Sequence, residues 1–271
     1  MSDTHEAHAG HAATALETAV PLILIAAVAL GYVLFAHNRG KEPRGWSSWR
    51  TASFLTGCTL RALGLSPQTS PFLLGGLPTH MYQHLLIGMY APIGLVLGAP
   101  ITFLLRSVPR RQGKLIGRIL RAGPTHLIVH PVTALALNLG GLAVQYFTPL
   151  FTAASNAPVL HHLVHLHFLA ARYLFAWVIS GPDPAPRRPS VPARLLILGV
   201  AIAGHAIISH LLYAGLFVQV PASEFRQAGE LMYYGGDPAE LLLAFALVST
   251  WRPQHRRQLA HPNQAQPSTV S

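Results

Sequence analysis

The sequence has one cysteine, few charges and very few acids. Cys58 alone excludes an internal disulfide and any all-cysteine metal cage. Only 10% of the 271 residues are charged, against about 25% in ordinary soluble domains, and only 9 are acidic. Residues 1–18 contain no Lys or Arg, so the basic leader of a cleavable signal peptide is missing. No serine nucleophile elbow, phosphate-binding glycine loop, dinucleotide fingerprint or internal repeat is present. What is there is apolar. Hydrophobic residues make up 51% of the chain, and the mean hydropathy is +0.38. This composition predicts an all-α, polytopic integral membrane bundle. Backbone groups in lipid must be paired internally, which favours helices over open strands.

Seven apolar runs carry that expectation: 19–36, about 51–65, 80–105, 126–147, 159–180, 193–218 and 238–251. At about 20 residues per crossing they predict about seven transmembrane helices. The second and seventh are marginal in length, and six is the alternative count. Residues 19–251 form one transmembrane domain on this basis. Residues 1–18 form an extracytoplasmic tail with His5, His8 and His11, spaced for weak capture of Cu(II) or Zn. Residues 252–271, rich in Pro and Gln, form a disordered cytoplasmic tail.

Basic residues alternate between successive linkers. Linker 37–50 holds Arg39, Lys41, Arg44 and Arg50, and 66–79 holds none. Linker 106–125 holds Arg106, Arg110, Arg111, Lys114, Arg118 and Arg121, and 147–158 again holds none. Arg187, Arg188 and Arg194 follow, then only Arg226 beside Glu224, Glu230 and Asp237, then Arg252, Arg256 and Arg257. The positive-inside rule therefore predicts an extracytoplasmic N-terminus and a cytoplasmic C-terminus. It also accounts for the net charge of +10 without nucleic acid as a partner.

Two histidine pairs stand out against this background. His80 and His84 lie in H-M-Y-Q-H, and His161 and His165 in H-H-L-V-H. A spacing of four puts both imidazoles of a pair on one helix face. Neutral imidazole is a metal ligand. Both pairs open spans that enter from outside, so they share one membrane face. His210, about 8 residues before the outer end of its span, is roughly 12 Å deep at 1.5 Å per residue and joins as a weaker candidate. Met232 and Asp237 are weaker candidates too; thioether with imidazole suits Cu(I), and a carboxylate suits Zn or Cu(II) as well. Arg61 is expected to pair with Glu240, because a buried arginine needs a carboxylate. His126 and His130 lie at the other membrane face. His162 and His167 read as amphipathic interface groups, Arg172 as a snorkelling side chain, and Cys58 as a small apolar filler. Gly88, Gly94, Gly98, Gly140 and Gly141 read as close-packing positions.

Several of these stretches resemble a known family. H-M-Y-Q-H-L-L (80–86), A-P-I-G-L-V-L-G-A-P (91–100), H-P-V (130–132), the H-x-x-x-H of 161–165 with Phe168, W-V-I-S-G-P-D-P (177–184) and R-Q-A-G-E-L-M-Y-Y-G-G-D (226–237) are similar to the CtaG-type assembly factors associated with caa3 cytochrome c oxidases. Tyr233 and Tyr234 depart from that family's Met-Trp-type sequence. The resemblance covers most of residues 50–251. It implies a non-enzymatic protein of the bacterial plasma membrane that helps mature haem–copper oxidases. Copper is the implied cargo, with oxidase subunits and copper chaperones as partners, and His80, His84, His161 and His165 carry over as its ligands. Two other functions fit the histidines. A b-type membrane cytochrome would use them as axial haem ligands. A metal or proton transporter would use His130, His205 and His210 as a path.

Overall fold

The computed structural model describes the backbone of residues 3–40, 45–72, 76–185, 188–216 and 220–249. Side chains of residues 3–18, 39, 40 and 67 lie outside that description, and with them those of His5, His8 and His11. The tail 252–271 lies outside it as well. All regular elements among the described residues are helical: α1 (Asp3–Gly40), α2 (Ser48–Leu65), α3 (Leu77–Gln83), a π-helical stretch (His84–Tyr90), α4 (Ala91–Leu97), α5 (Pro100–Ser107), α6 (Arg110–Leu120), α7 (Gly123–Ile128), α8 (Pro131–Phe147), α9 (Leu150–Ser155), α10 (Pro158–Ser180), α11 (Val191–Tyr213) and α12 (Ala222–Ser249), with a short 3₁₀ turn at Pro67–Thr69.

Among the described residues, three helices are long and apolar enough to cross a membrane: 19–38 of α1, α10 and α11. A fourth crossing results if α3 through α4 and α5 count as one bent span. This is fewer than the seven expected from apolar runs. The shortfall has local causes. Helix α8 has 17 residues, α2 carries Arg50 and Arg61, and α12 carries Glu224, Arg226, Glu230, Asp237 and Glu240. Large apolar side chains nonetheless point outward all round the bundle. Ile23, Leu163, Leu196 and Phe245 are each more than half exposed, an arrangement suited to lipid rather than water.

Helix α12 corrects a second expectation. The stretch 226–237 is not a loop before a helix starting near Pro238; one helix runs from Ala222 to Ser249 with Pro238 inside. Its glycines and charges dilute the local hydropathy. The buried residues Ala228, Gly229, Met232, Gly236, Ala239, Glu240 and Leu243 recur at the three-to-four spacing of a helix face.

Helix α10 packs against α4, the π-helical stretch, α8, α9, α11 and α12. Helix α2 lies against α4 at backbone contact. A Cβ on Gly57 would stand 2.6 Å from the Leu95 nitrogen, and one on Gly94 2.8 Å from the Gly57 nitrogen. Ser53 Oγ donates to the Gly94 carbonyl at 3.0 Å. Gly98 is equally closed by Phe54, whereas Gly140 faces open space, so close packing accounts for only part of the glycine set.

The third apolar run is broken twice. Pro92 cannot donate a backbone hydrogen bond, and its ring crowds the carbonyl four residues back. The preceding turns widen to π geometry, with the Ala91 N–H donating to Leu86 O. The second break is at Ala99, whose φ of 53° is left-handed. Together with Pro100 it turns α5 by 44°. The exposed helix ends are answered from far away in sequence. Tyr32 Oη donates to Gly98 O at 2.6 Å. The N–H groups of Ile101 and Thr102 donate to the Asp183 carboxylate at 2.9 and 2.7 Å. Arg188 in turn donates to the backbone carbonyls of Asp183 and Trp177.

Asp183→Ala should therefore lower the stability of the detergent-solubilised protein by about 2 kcal/mol, the cost of a lost carboxylate cap in a buried setting. Thermal unfolding measures it, and Asp183→Asn should recover part of the loss.

Candidate metal centre

Helix α3 holds His80 and α10 holds His161 and His165, and the packing of these segments brings the three imidazoles together. Ring centroids stand 6.2 Å apart for His80–His161, 5.7 Å for His80–His165 and 4.3 Å for His161–His165. One nitrogen from each ring lies within 4.8 Å of the other two. An ion bound at about 2.0–2.1 Å would need the three nitrogens about 3.3 Å apart in tetrahedral geometry, a small contraction. His80 and His165 are buried and His161 is half-buried. His80 Nε2 and both nitrogens of His165 have no hydrogen-bond partner. Aromatic walls close the site: Phe151 lies 5.2 Å from the His80 ring and Tyr146 6.1 Å. Glu224 fixes the entry of α3, accepting from the Leu77 N–H at 3.0 Å three residues before His80.

His84 does not join this group. It begins the π-helical stretch one turn deeper, with its ring edge-on to Phe168 at 4.9 Å and both nitrogens unpartnered. Around it lies a second set of buried polar groups, from four elements. His205 of α11 sits 3.5 Å through Nδ1 from Glu240 of α12. Arg172 of α10 is 3% exposed and has Nε and Nη2 unpartnered. It acts electrostatically on His84, His205 and Glu240. Arg172 therefore faces the core and does not snorkel.

Three further expectations change. Glu240 turns to His205 and Arg172, not to Arg61, whose buried Nη1 has no partner. His210 is exposed, its Nδ1 2.7 Å from the Ala206 carbonyl and its ring against Tyr233 at 5.0 Å. Five residues turn a helix by about 140° from a whole revolution, so with His205 inward His210 points out. Met232 is fully buried in an apolar cluster with Met81, Tyr146 and Phe168, and Asp237 is half-buried beside Glu240. Neither belongs to the three-imidazole group. His205, buried beside Glu240, is not among the metal candidates that spacing and depth point to. Its signal was phase: it shares a helix face with buried Leu198, Ala201, Ser209 and Leu212.

The sequence profile of the cytochrome c oxidase caa3 assembly factors matches residues 15–254. The chain belongs to that family. Uncharacterized proteins of Mycobacterium bovis and Mycobacterium tuberculosis are each 29% identical over 252 residues, covering 85% of this chain and 38% of theirs. One from Mycobacterium leprae is 27% identical over 265 residues, covering 89% and 40%. The chain thus spans about two fifths of the length of the curated relatives it matches. No solved structure matches it. In this member of the family, two motifs of the resemblance acquire structural roles. Asp183 of W-V-I-S-G-P-D-P caps α5, and the 226–237 stretch lays Met232 and Gly236 against the buried histidines' helices.

Arg172 and Glu240 act on each other electrostatically without direct contact, so removing the acid leaves the buried guanidinium less compensated, at up to the about 3–5 kcal/mol of a broken buried pair. Glu240→Gln should destabilise the family member by that amount, because Arg172 keeps its charge. Arg172→Leu added to it should restore most of the loss. Thermal unfolding of both single variants and the double variant tests this, and a double variant no more stable than E240Q alone would refute compensation.

Proposed function

We propose that this assembly factor binds copper through His80, His161 and His165 and passes it to a subunit of a haem–copper oxidase. It acts as a carrier and not as a catalyst. The observation that carries this is the convergence of three imidazoles, two of them buried, with nitrogens that nothing else satisfies. Unpaired polar atoms in an apolar interior are costly, and a soft or borderline cation is the partner that imidazole nitrogens fit. His161, half-buried, lies on the accessible side of the site and leaves the ion an open fourth position for exchange. The basic-residue alternation supports placing this end outside a bacterial plasma membrane, with seven crossings and the C-terminus in the cytoplasm. Copper chaperones and oxidase subunits are the partners such a cargo implies.

The cytochrome reading fits the geometry less well. Axial haem ligands must oppose each other across a flat macrocycle, and here a third imidazole stands within 4.8 Å of the other two, where the ring would lie. The transporter reading loses its path, since His210 is exposed and His130 is an exposed cap accepting from the Val132 N–H.

Competition with a Cu(I) chelator tests the site. Replacing His80, His161 or His165 by Ala should each weaken copper binding at the outer cluster by about 100-fold, or about 2.7 kcal/mol. His210→Ala should leave it within about twofold. Outer-cluster binding should weaken as the pH falls, because the ligand nitrogens must be unprotonated. Cells carrying His80→Ala should assemble copper-poor oxidase. Unchanged copper affinity in an H80A/H165A protein, with a stoichiometric haem absorption band, would establish the cytochrome instead.

A further inference from the structure

The polar groups below the three-imidazole cluster are not used by the function proposed above. We propose that His84 and His205, with the thioether of Met89 beside them, form a second and deeper site for Cu(I), which receives its ion from the outer cluster. This rests on the copper reading of that cluster.

Four observations point to it. His84 and His205 are 5% and 3% exposed and come from different elements of the bundle. Both nitrogens of His84 and Nε2 of His205 have no hydrogen-bond partner. An unsatisfied imidazole between apolar helices lowers stability, and two such groups near enough for one to act on the other have no packing purpose.

Glycines make the space. A Cβ at Gly88 would lie 3.2 Å from His84 Nδ1. One at Gly236 would collide with the His205 ring and meet the Met89 methyl at 3.4 Å. Any larger residue at either position would push a donor aside. Met89 itself is 1% exposed, so its thioether is shielded from water, and its methyl and the His205 ring border the same point beside Gly236.

The carboxylate of Glu240 lies 3.5 Å from His205 Nδ1. The two make no hydrogen bond at that distance; drawn in by a few tenths of an ångström, the carboxylate would hold the proton on Nδ1 and leave the Nε2 lone pair for a metal, the orienting arrangement common behind metal-bound histidines. Nε2 is the atom that lacks a partner.

Charge selects the ion. Arg172 already places one positive charge beside Glu240, the one acid acting on it, so an incoming cation brings its own charge uncompensated into a low-dielectric interior. That cost is smallest for a monovalent ion. Two neutral imidazoles and a thioether are soft donors of the kind Cu(I) takes. Position supplies the route: His84 follows His80 by one helical turn, and His165 is among the groups acting on it.

The test uses the full chain in nanodiscs, loaded with Cu(I) alone, challenged with a chelator, and read by metal content and X-ray absorption. The wild type should retain a second copper equivalent whose spectrum contains a sulfur scatterer. His205→Gln and Met89→Leu should each lose that equivalent and keep the outer one. An H161A/H165A protein should keep the inner equivalent and load it at least about tenfold more slowly. Two results would overturn the inner site while leaving the outer one intact: a single equivalent that H205Q and M89L leave unchanged, or a second equivalent with only nitrogen and oxygen scatterers. An inner equivalent that loads at the wild-type rate in H161A/H165A would overturn the transfer route. Monodisperse elution of H205Q and M89L excludes misfolding as the cause of any loss.

Discussion

Every polar atom placed between these helices must be answered by another polar atom, because neither lipid nor a packed apolar interior will answer it. The backbone meets this demand within each helix. Where helices break, distant residues complete the count. The turn at Ala99 leaves Gly98 O and two N–H groups open, and Tyr32 and Asp183 close them from 66 and about 80 residues away. The same rule makes the side chains that remain unanswered informative. The largest group of them surrounds α10: His165 and Arg172 on the helix itself, His80 and His84 on the segment packed against it, His205 and Glu240 on its other neighbours; the others are on Arg61, His126, Gln145, Trp177, Arg188 and Arg194.

Desolvation also explains why these groups occur as sets. A lone buried imidazole is a liability of a few kcal/mol at most, tolerable but without use. Three whose nitrogens converge are a different object, because one cation satisfies all of them at once. Arg172 and Glu240 show the complementary strategy. Each charge is intolerable alone, and together they leave the core formally neutral. The π-helical stretch links the two arrangements. It lets Pro92 sit in the middle of a buried segment below His84, which stays one turn under His80 with both rings against Tyr146.

The sequence made the helices legible because hydrophobic runs report the cost of burial directly. The runs 159–180 and 193–218 overlap α10 and α11 almost fully. It also made the His80, His161 and His165 association legible, since spacing and end-of-span position are both one-dimensional. Depth and phase were not. His84 keeps the helical spacing to His80, yet only His80 lies level with His161 and His165 on the neighbouring helix, a relation between helices that spacing within one helix does not encode. His210 was favoured over His205 by counting depth, while the inward face of α11 is fixed only by what packs against it. Helix α12 was hidden because hydropathy averages over all sides, and its interior stripe of Gly, Ala, Met and Leu is diluted by exposed charges. The cap by Asp183 is a contact between distant segments that no local pattern encodes.

Charge distribution ties the site to its setting. The two linkers flanking the three imidazoles, 66–79 and 147–158, contain no Lys or Arg. The neighbouring end of α12 carries Glu224, Glu230 and Asp237, with Glu230 exposed. Six basic residues instead crowd the linker 106–125, after the bend at Ala99. Such asymmetry is what orients a helical membrane protein, and it has a second effect. A cation approaching the imidazole end would meet no repelling side chain in those linkers, and at the neighbouring end of α12 three acids outnumber Arg226, a local field that would raise its concentration there. Farther in, the formal neutrality of Arg172 with Glu240 removes the long-range attraction. A captured ion is then held only by short-range bonds to neutral donors, which is the condition for passing it on.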